Sequence, residues 1–202
     1  VHVYVVLAHP SKESYTYDVF QSFVAGLGEA GHTVEVGDLY EMGFQTDMDL
    51  AHYERETSFD GSLPIPDDVA AEQDKLERAD GLVLIYPLWW SDCPAKLKGW
   101  FDRVWTLGYA YDYDEGGHAA PGIGIDRALV ICAAGHPVRH LEETGIAASM
   151  RCIMLNDRLL GVGVRDAKME ILGGMVGQDP AVRERNLDRA HELGRTFGDV
   201  DS

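Results

Sequence analysis

The sequence predicts an α/β fold, a doubly wound and mostly parallel sheet with helices on both faces. Three observations predict it. Val1–Leu7 (VHVYVVL), Gly81–Tyr86 (GLVLIY) and Ala128–Ala133 (ALVICA) are continuous apolar runs, as strands buried on both faces require. Amphipathic stretches with helical spacing lie between them. Strand-like and helix-like segments alternate along the chain, the pattern of βαβ units rather than of hairpins.

The elements follow in order. After the first strand comes a loop, Ala8–Ser14, and then a helix. Phe20, Phe23, Val24 and Leu27 recur at i, i+3, i+4 and i+7 and form one apolar stripe, with Gly31 placed as the C′ residue. Thr33–Val36 reads as a short second strand. Tyr40–Pro66 is the least regular stretch and suits a loop over a site or an excursion. Asp67–Ala79 has helical character. Pro94–Leu107 is a strong amphipathic helix with Leu97, Trp100, Phe101 and Val104 on one side, and Pro94 fits its first turn. Gly108–Asp126 is a loop rich in Tyr, Gly and Asp. Met150–Leu160 reads as helix and Lys168–Leu172 as the last strand. Asp179 caps a final helix with Pro180 at its first position, running to about Phe197.

Bulk composition narrows the function classes. The 202 residues are 46% hydrophobic and 25% charged, which suits a globular chain, and residues 1–202 are expected to form one domain. The formal charge is −17, from 34 acidic and 17 basic residues. Nucleic acid and anionic membranes would repel such a surface. Cys93, Cys132 and Cys152 are odd in number and widely spaced, without C-x-x-C, so neither a disulfide framework nor a metal site is expected. No run is long enough to span a bilayer, and the opening run lacks a basic leader. The expectation is a cytoplasmic protein with no membrane insertion.

In doubly wound sheets ligands bind beyond the carboxyl ends of the strands, where strand order reverses. Three loops there carry chemistry. The first, around His9, Ser14, Tyr15 and Thr16, combines hydroxyls with the free N–H groups of a helix start, which suits an anion. It is neither a Walker loop nor a G-x-G-x-x-G turn. The second holds Pro87, Leu88, Trp89 and Trp90; indoles offer flat faces for stacking on a planar ring. The third, Ala133, Ala134, Gly135 and His136, is built of small residues that let backbone approach a ligand closely. Each has a plainer reading: a capped helix, aromatics covering the core or a subunit seam, a tight turn. Cys93 reads as a space-filler and Cys132 as core. Asp112–Glu115 reads as a solvated loop, and Gly122-Ile123-Gly124 precedes a strand and is discounted as a nucleotide motif.

Leu7-Ala8-His9-Pro10 with Ser14, Tyr86-Pro87-Leu88-Trp89-Trp90, the block from Pro94 to Val104 and Tyr109-Ala110-Tyr111 together carry a resemblance. Over roughly Val3–Gly174 the chain resembles the flavodoxin-like NAD(P)H:quinone oxidoreductase family, which includes animal quinone reductases, bacterial modulators of drug activity and ancillary subunits of potassium efflux systems. The resemblance implies a flavodoxin-like, five-stranded parallel sheet. It implies two-electron hydride transfer from NADPH or NADH through a bound flavin, FAD or alternatively FMN, to a quinone-like small molecule in a ping-pong cycle. His9, Ser14, Tyr15 and Thr16 fall where the family holds the flavin phosphates and ribityl chain. Pro87, Leu88, Trp89 and Trp90 fall where it packs on the isoalloxazine, and Ala133, Ala134, Gly135 and His136 fall at the flavin's other edge. Tyr111 and Tyr113 match tyrosines that line the substrate pocket from a neighbouring subunit, so a homodimer is implied. His136, Tyr111 and Tyr113 are the implied catalytic candidates.

Two departures stand out. The third loop commonly carries two threonines and two glycines, and here it reads Ala-Ala-Gly-His. A Tyr and a His that follow it in animal members fall, by counting, at Leu141 and Ala147, with His136, His140 and Glu143 the nearby substitutes. Two rival functions share the fold: a regulatory subunit of a potassium efflux system, and a one-electron carrier like flavodoxin.

Overall fold

The computed structural model describes residues 1–113 and 119–199. Five parallel strands form its sheet, in the order β2-β1-β3-β6-β7. They are β1 (His2–Leu7), β2 (Thr33–Asp38), β3 (Gly81–Pro87), β6 (Arg127–Ala133) and β7 (Asp166–Leu172). The three apolar runs form the sheet's middle, β1, β3 and β6, because only a strand covered on both faces is apolar at every position. Register follows the pleat: Val5 lies opposite Val36 on one side and Val83 on the other.

Alternate residues therefore feed two different cores. Tyr4, Val6, Leu82, Leu84, Tyr86, Val130 and Cys132 face a layer containing α3 (Asp67–Arg78) and α4 (Ala95–Val104). Val3, Val5, Leu7, Val83, Ile85, Leu129 and Ile131 face α1 (Tyr15–Glu29) and α7 (Pro180–Arg195). The α1 stripe is rotated from the sequence expectation: Val19, Phe23 and Leu27 are buried, while Phe20 and Val24 are only half-buried. The cause is α7, which packs on the Gly26 side. A Cβ on Gly26 would lie 2.1 Å from the His191 carbonyl oxygen, and one on Gly194 would lie 2.1 Å from that of Phe23. The two helices meet backbone to backbone.

On the other face one buried carboxylate ties three elements together. Glu72 of α3 is fully buried. It accepts hydrogen bonds from Trp100 Nε1 of α4 at 2.7 Å, from Lys75 Nζ at 2.5 Å and from the Tyr4 hydroxyl of β1. A buried charge is tolerable only with such partners.

Several elements differ from the sequence expectation. Within Tyr40–Pro66 lies α2 (Leu50–Thr57), capped by Asp49. The Tyr-rich loop contains a two-stranded hairpin, β4 (Tyr111–Tyr113) with β5 (Ala119–Pro121); part of the acidic run, Asp114 and Glu115, lies outside the described residues. α4 ends at Val104 rather than Leu107. After β6 come two short helices, α5 (Val138–Glu143) and α6 (Ile146–Arg151). Cys152–Asp157, expected as plain helix, is a wide turn of π type. Among the described residues no helix is long and apolar enough to cross a membrane.

Candidate functional site

From β1 the chain moves outward to β2, and from β3 it moves the other way to β6 and β7. The switch point therefore lies between β1 and β3, and the loops after these strands part there. The loop after β6 stands one strand further along. His9 and Trp89 join the first two loops across the gap, with ring centroids 5.9 Å apart.

In the first loop the polar side chains serve the loop's own backbone. His9 Nδ1 accepts from the Ser11 N–H at 3.0 Å. Ser14 caps α1 by accepting from the Tyr17 N–H at 3.1 Å, and donates its hydroxyl to the Ser11 carbonyl at 2.8 Å. Ser11 Oγ accepts from the Glu13 N–H at 3.1 Å. What the loop offers a ligand is the start of α1, where the N–H groups of Tyr15 and Thr16 have no acceptor inside the helix. Thr16 is buried. The Tyr15 ring is turned away, packed with the α1–α7 core beneath the Arg183 guanidinium at 5.5 Å. Burial pushes its hydroxyl up to about 12. Tyr15 thus faces the loop with its backbone, not its ring.

The second loop is a two-residue turn. Pro87 is buried at the end of β3, and the Leu88 N–H donates to the Ala133 carbonyl at 2.8 Å. Trp89 and Asp92 exchange backbone hydrogen bonds at 3.1 and 3.2 Å. Between them Trp90 (φ 51°) and Ser91 (φ 67°) both adopt left-handed backbone. Such turns normally hold Asn-Gly or Gly-Gly. Two L side chains there cost roughly 1–2 kcal/mol each, a strain that clusters at ligand sites. Trp90 is completely exposed and Trp89 is 42% exposed, so neither indole covers the core. The remaining N–H groups of the turn belong to Trp90 and Ser91.

In the third loop Ala133 and Ala134 are buried, and the Ala134 N–H donates to Leu172 O at 3.0 Å. Gly135 and His136 are stitched to the loop after β7: their carbonyls accept from the Val176 and Gly174 N–H groups, each at 2.9 Å. His136 is exposed, with its ring 4.9 Å from that of His140. Leu141 and Ala147 are buried and belong to the core.

Tyr111 and Tyr113 lie elsewhere. They sit past the far end of α4, whose 10 residues span about 15 Å from the tryptophan turn. Their rings pack edge to face on each other at 6.1 Å, and Tyr113 meets Phe59 at 5.9 Å. Within one chain the structure does not bring them to His136 or to the three loops. A cleft of about 980 Å³ also opens away from the switch point, between β7 and α7, lined by residues that include Arg127, Met169, Arg189 and Phe197.

Sequence reasoning missed two parts of the site region. One is the loop after β7, whose Gly173-Gly174 pair directly follows a strand and was the available signal. The other is Arg158, whose contact with Asp92 spans 66 positions and leaves no local trace.

The fold and loops define a doubly wound α/β protein whose switch point is edged by helix-start N–H groups and exposed indoles, with a small-residue loop one strand further along. The chain belongs to the flavodoxin-like fold family, whose profile matches residues 1–193. It superposes on the structure of an NAD(P)H:quinone oxidoreductase from Methanothermobacter marburgensis with a TM-score of 0.91 and 55% identity, covering 98% of this chain and 96% of that one. A Haemophilus influenzae protein named an uncharacterized NAD(P)H oxidoreductase is 30% identical over 187 residues, 92% of this chain and 90% of its own. Rat NAD(P)H dehydrogenase (quinone) 1 is 37% identical over 124 residues; the match covers 54% of this chain and 44% of the rat protein, less than half of that relative's length.

Proposed function

We propose that this chain is a flavin-dependent NAD(P)H oxidoreductase that reduces quinones or similar flat acceptors by two-electron transfer. The observation that carries it is the end-to-end match, at 55% identity, to the Methanothermobacter marburgensis NAD(P)H:quinone oxidoreductase. The donor set at the switch point fits a flavin: N–H groups at the start of α1 for phosphate, and N–H groups of a fixed turn for the polar edge of a ring.

A bound flavin would supply the redox chemistry, two-electron hydride transfer between NAD(P)H and the acceptor. The chain's residues position and shield. The Tyr15 and Thr16 N–H groups hold phosphate. The Trp90 and Ser91 N–H groups, with that of Gly135, orient the ring edge and favour negative charge on it, as fixed dipoles in a dry site do. Trp89, Trp90 and Leu88 supply apolar surface that excludes water. His136, exposed at the rim of the third loop, is the candidate catalytic side chain beside that edge. Tyr111 and Tyr113 serve the site of a second copy in a homodimer, a reading supported by their place beyond α4 and by the exposed Phe59 ring against Tyr113. FAD is the preferred flavin and FMN the alternative. A reducing, cytoplasmic setting agrees with three free cysteines.

The test is an absorbance spectrum of purified protein mixed with FAD or FMN and desalted, followed by anaerobic NADPH and then a quinone. Retained colour that NADPH bleaches and quinone restores is the expected result, and it names the flavin. Protein that retains neither flavin, or whose flavin NADPH leaves oxidised, refutes the reading.

A further inference from the structure

The turn that carries Trp90 and Ser91 is held in shape from outside itself. Two L residues in left-handed backbone persist only where the surroundings fix them. The residue that closes the turn, Asp92, is gripped by Arg158: Nη1 to Oδ1 and Nη2 to Oδ2, both at 3.1 Å. This two-point pairing fixes orientation as well as charge. The Cys93 N–H donates to the same carboxylate at 2.7 Å.

Arg158 is itself firmly seated. Its side chain is 10% exposed. The guanidinium lies over the Phe101 ring at 5.5 Å and reaches Cys93 Sγ at 3.4 Å, and the Arg158 carbonyl accepts from Trp105 Nε1 at 2.7 Å. It directly follows the π-type turn Cys152–Asp157, a feature that re-aims a helix and recurs at functional sites. Burial pushes the Asp92 carboxyl up, but Arg158 and the Cys93 N–H outweigh it and hold it below the usual carboxylate range. The pair is ionised at neutral pH.

We propose that Arg158 is a positioning residue for the flavin site: it fixes Asp92, Asp92 closes the turn, and the turn aims the Trp90 and Ser91 N–H groups at the flavin edge. The inference rests on the flavin reading above. It makes flavin affinity and potential depend on an arginine from the segment beyond α6, outside all three loops.

The test compares wild type, Arg158→Gln, Arg158→Gln with Ser91→Gly, and Asp92→Asn. Flavin affinity is read by fluorescence titration and the bound flavin's midpoint potential by dye equilibration. Arg158→Gln weakens flavin binding at least tenfold and moves the potential to more negative values, because the dipoles that favour the reduced form are no longer aimed. Adding Ser91→Gly recovers most of the affinity, since glycine adopts left-handed backbone without strain. A purely structural role for Arg158 gives no such rescue. If Arg158→Gln fails to fold, Asp92→Asn carries the test, with the same weakening and a melting temperature close to wild type. Wild type that binds flavin while Arg158→Gln and Asp92→Asn bind it within twofold overturns the inference alone. Wild type that binds neither flavin overturns the parent reading and this one with it.

Discussion

Replacing Glu72 with alanine should destabilise the chain by about 4 kcal/mol. Two of its hydrogen-bond donors, Tyr4 and Trp100, are themselves fully buried, so water cannot replace the lost acceptor. Each orphaned buried donor costs roughly 1–3 kcal/mol, which gives about 2–6 kcal/mol before any cavity is counted. The Tyr4 hydroxyl has little freedom to turn elsewhere, because it fills the space a Cβ on Gly37 would take, at 2.1 Å. Burial and the neighbouring Glu72 push its pKa well up, so it stays a neutral donor at all working pH values. A domain of this size is stable by about 5–15 kcal/mol, so the loss is a large part of the total. Glu72→Gln, which keeps the volume and one acceptor oxygen, should cost roughly half as much. Urea unfolding followed by circular dichroism measures both, with constant m showing that stability alone has changed. A Glu72→Ala midpoint within about 1 kcal/mol of wild type would refute the view that this carboxylate ties β1, α3 and α4 together.

Other outcomes follow from the same structure. Gly194→Ala places a methyl against the Phe23 carbonyl and should cost about 1–3 kcal/mol in the urea assay; an unchanged midpoint would mean that α1 and α7 part freely. Gly135→Val meets only the 71% exposed Val176, so its melting temperature should stay near wild type while flavin retention falls; full retention would remove the third loop from the site. Burial pushes the Cys93 thiol up to about 12 and Cys132 higher still, while Cys152 is exposed. Native protein at pH 8 should therefore be alkylated once, at Cys152, and peptide mapping that finds a second labelled site would contradict the packing. Burial lowers the His52 pKa, with Glu56 opposing and Arg103 and Arg55 adding. The unfolded chain then takes up this proton near pH 6.5 and the native chain only lower. His52 thus contributes stability that is complete above about pH 6.5 and is lost as pH falls below it. Unfolding midpoints at pH 7.5 and 5.5 should show this, and His52→Leu should flatten that part of the profile.

Much of this arrangement is legible in the sequence, and what is not has physical causes. The middle strands are plain because β1, β3 and β6 are apolar at every position. α4 declares itself through Leu97, Trp100, Phe101 and Val104, all buried, and α7 through Asp179 and Pro180. α2 is hidden because its buried residues are His52 and Arg55, so it has no apolar stripe. β4 and β5 are three residues each, too short for a period of two to register. The positions of the three loops follow from strand ends and are readable. Their internal geometry is not: the left-handed turn at Trp90 and Ser91 contains no glycine or asparagine to announce it, and its support, Arg158, is distant in sequence. Tyr15 shows the same limit, since only packing against Arg183 reveals that its ring leaves the loop.

The most direct test of the central claim is a crystal structure of the flavin-loaded chain. The account predicts the ring edge within hydrogen-bond distance of the Trp90 and Ser91 N–H groups, with phosphate at the Tyr15 and Thr16 N–H groups. Ordered flavin in the cleft between β7 and α7, with the switch point open to solvent, would contradict it.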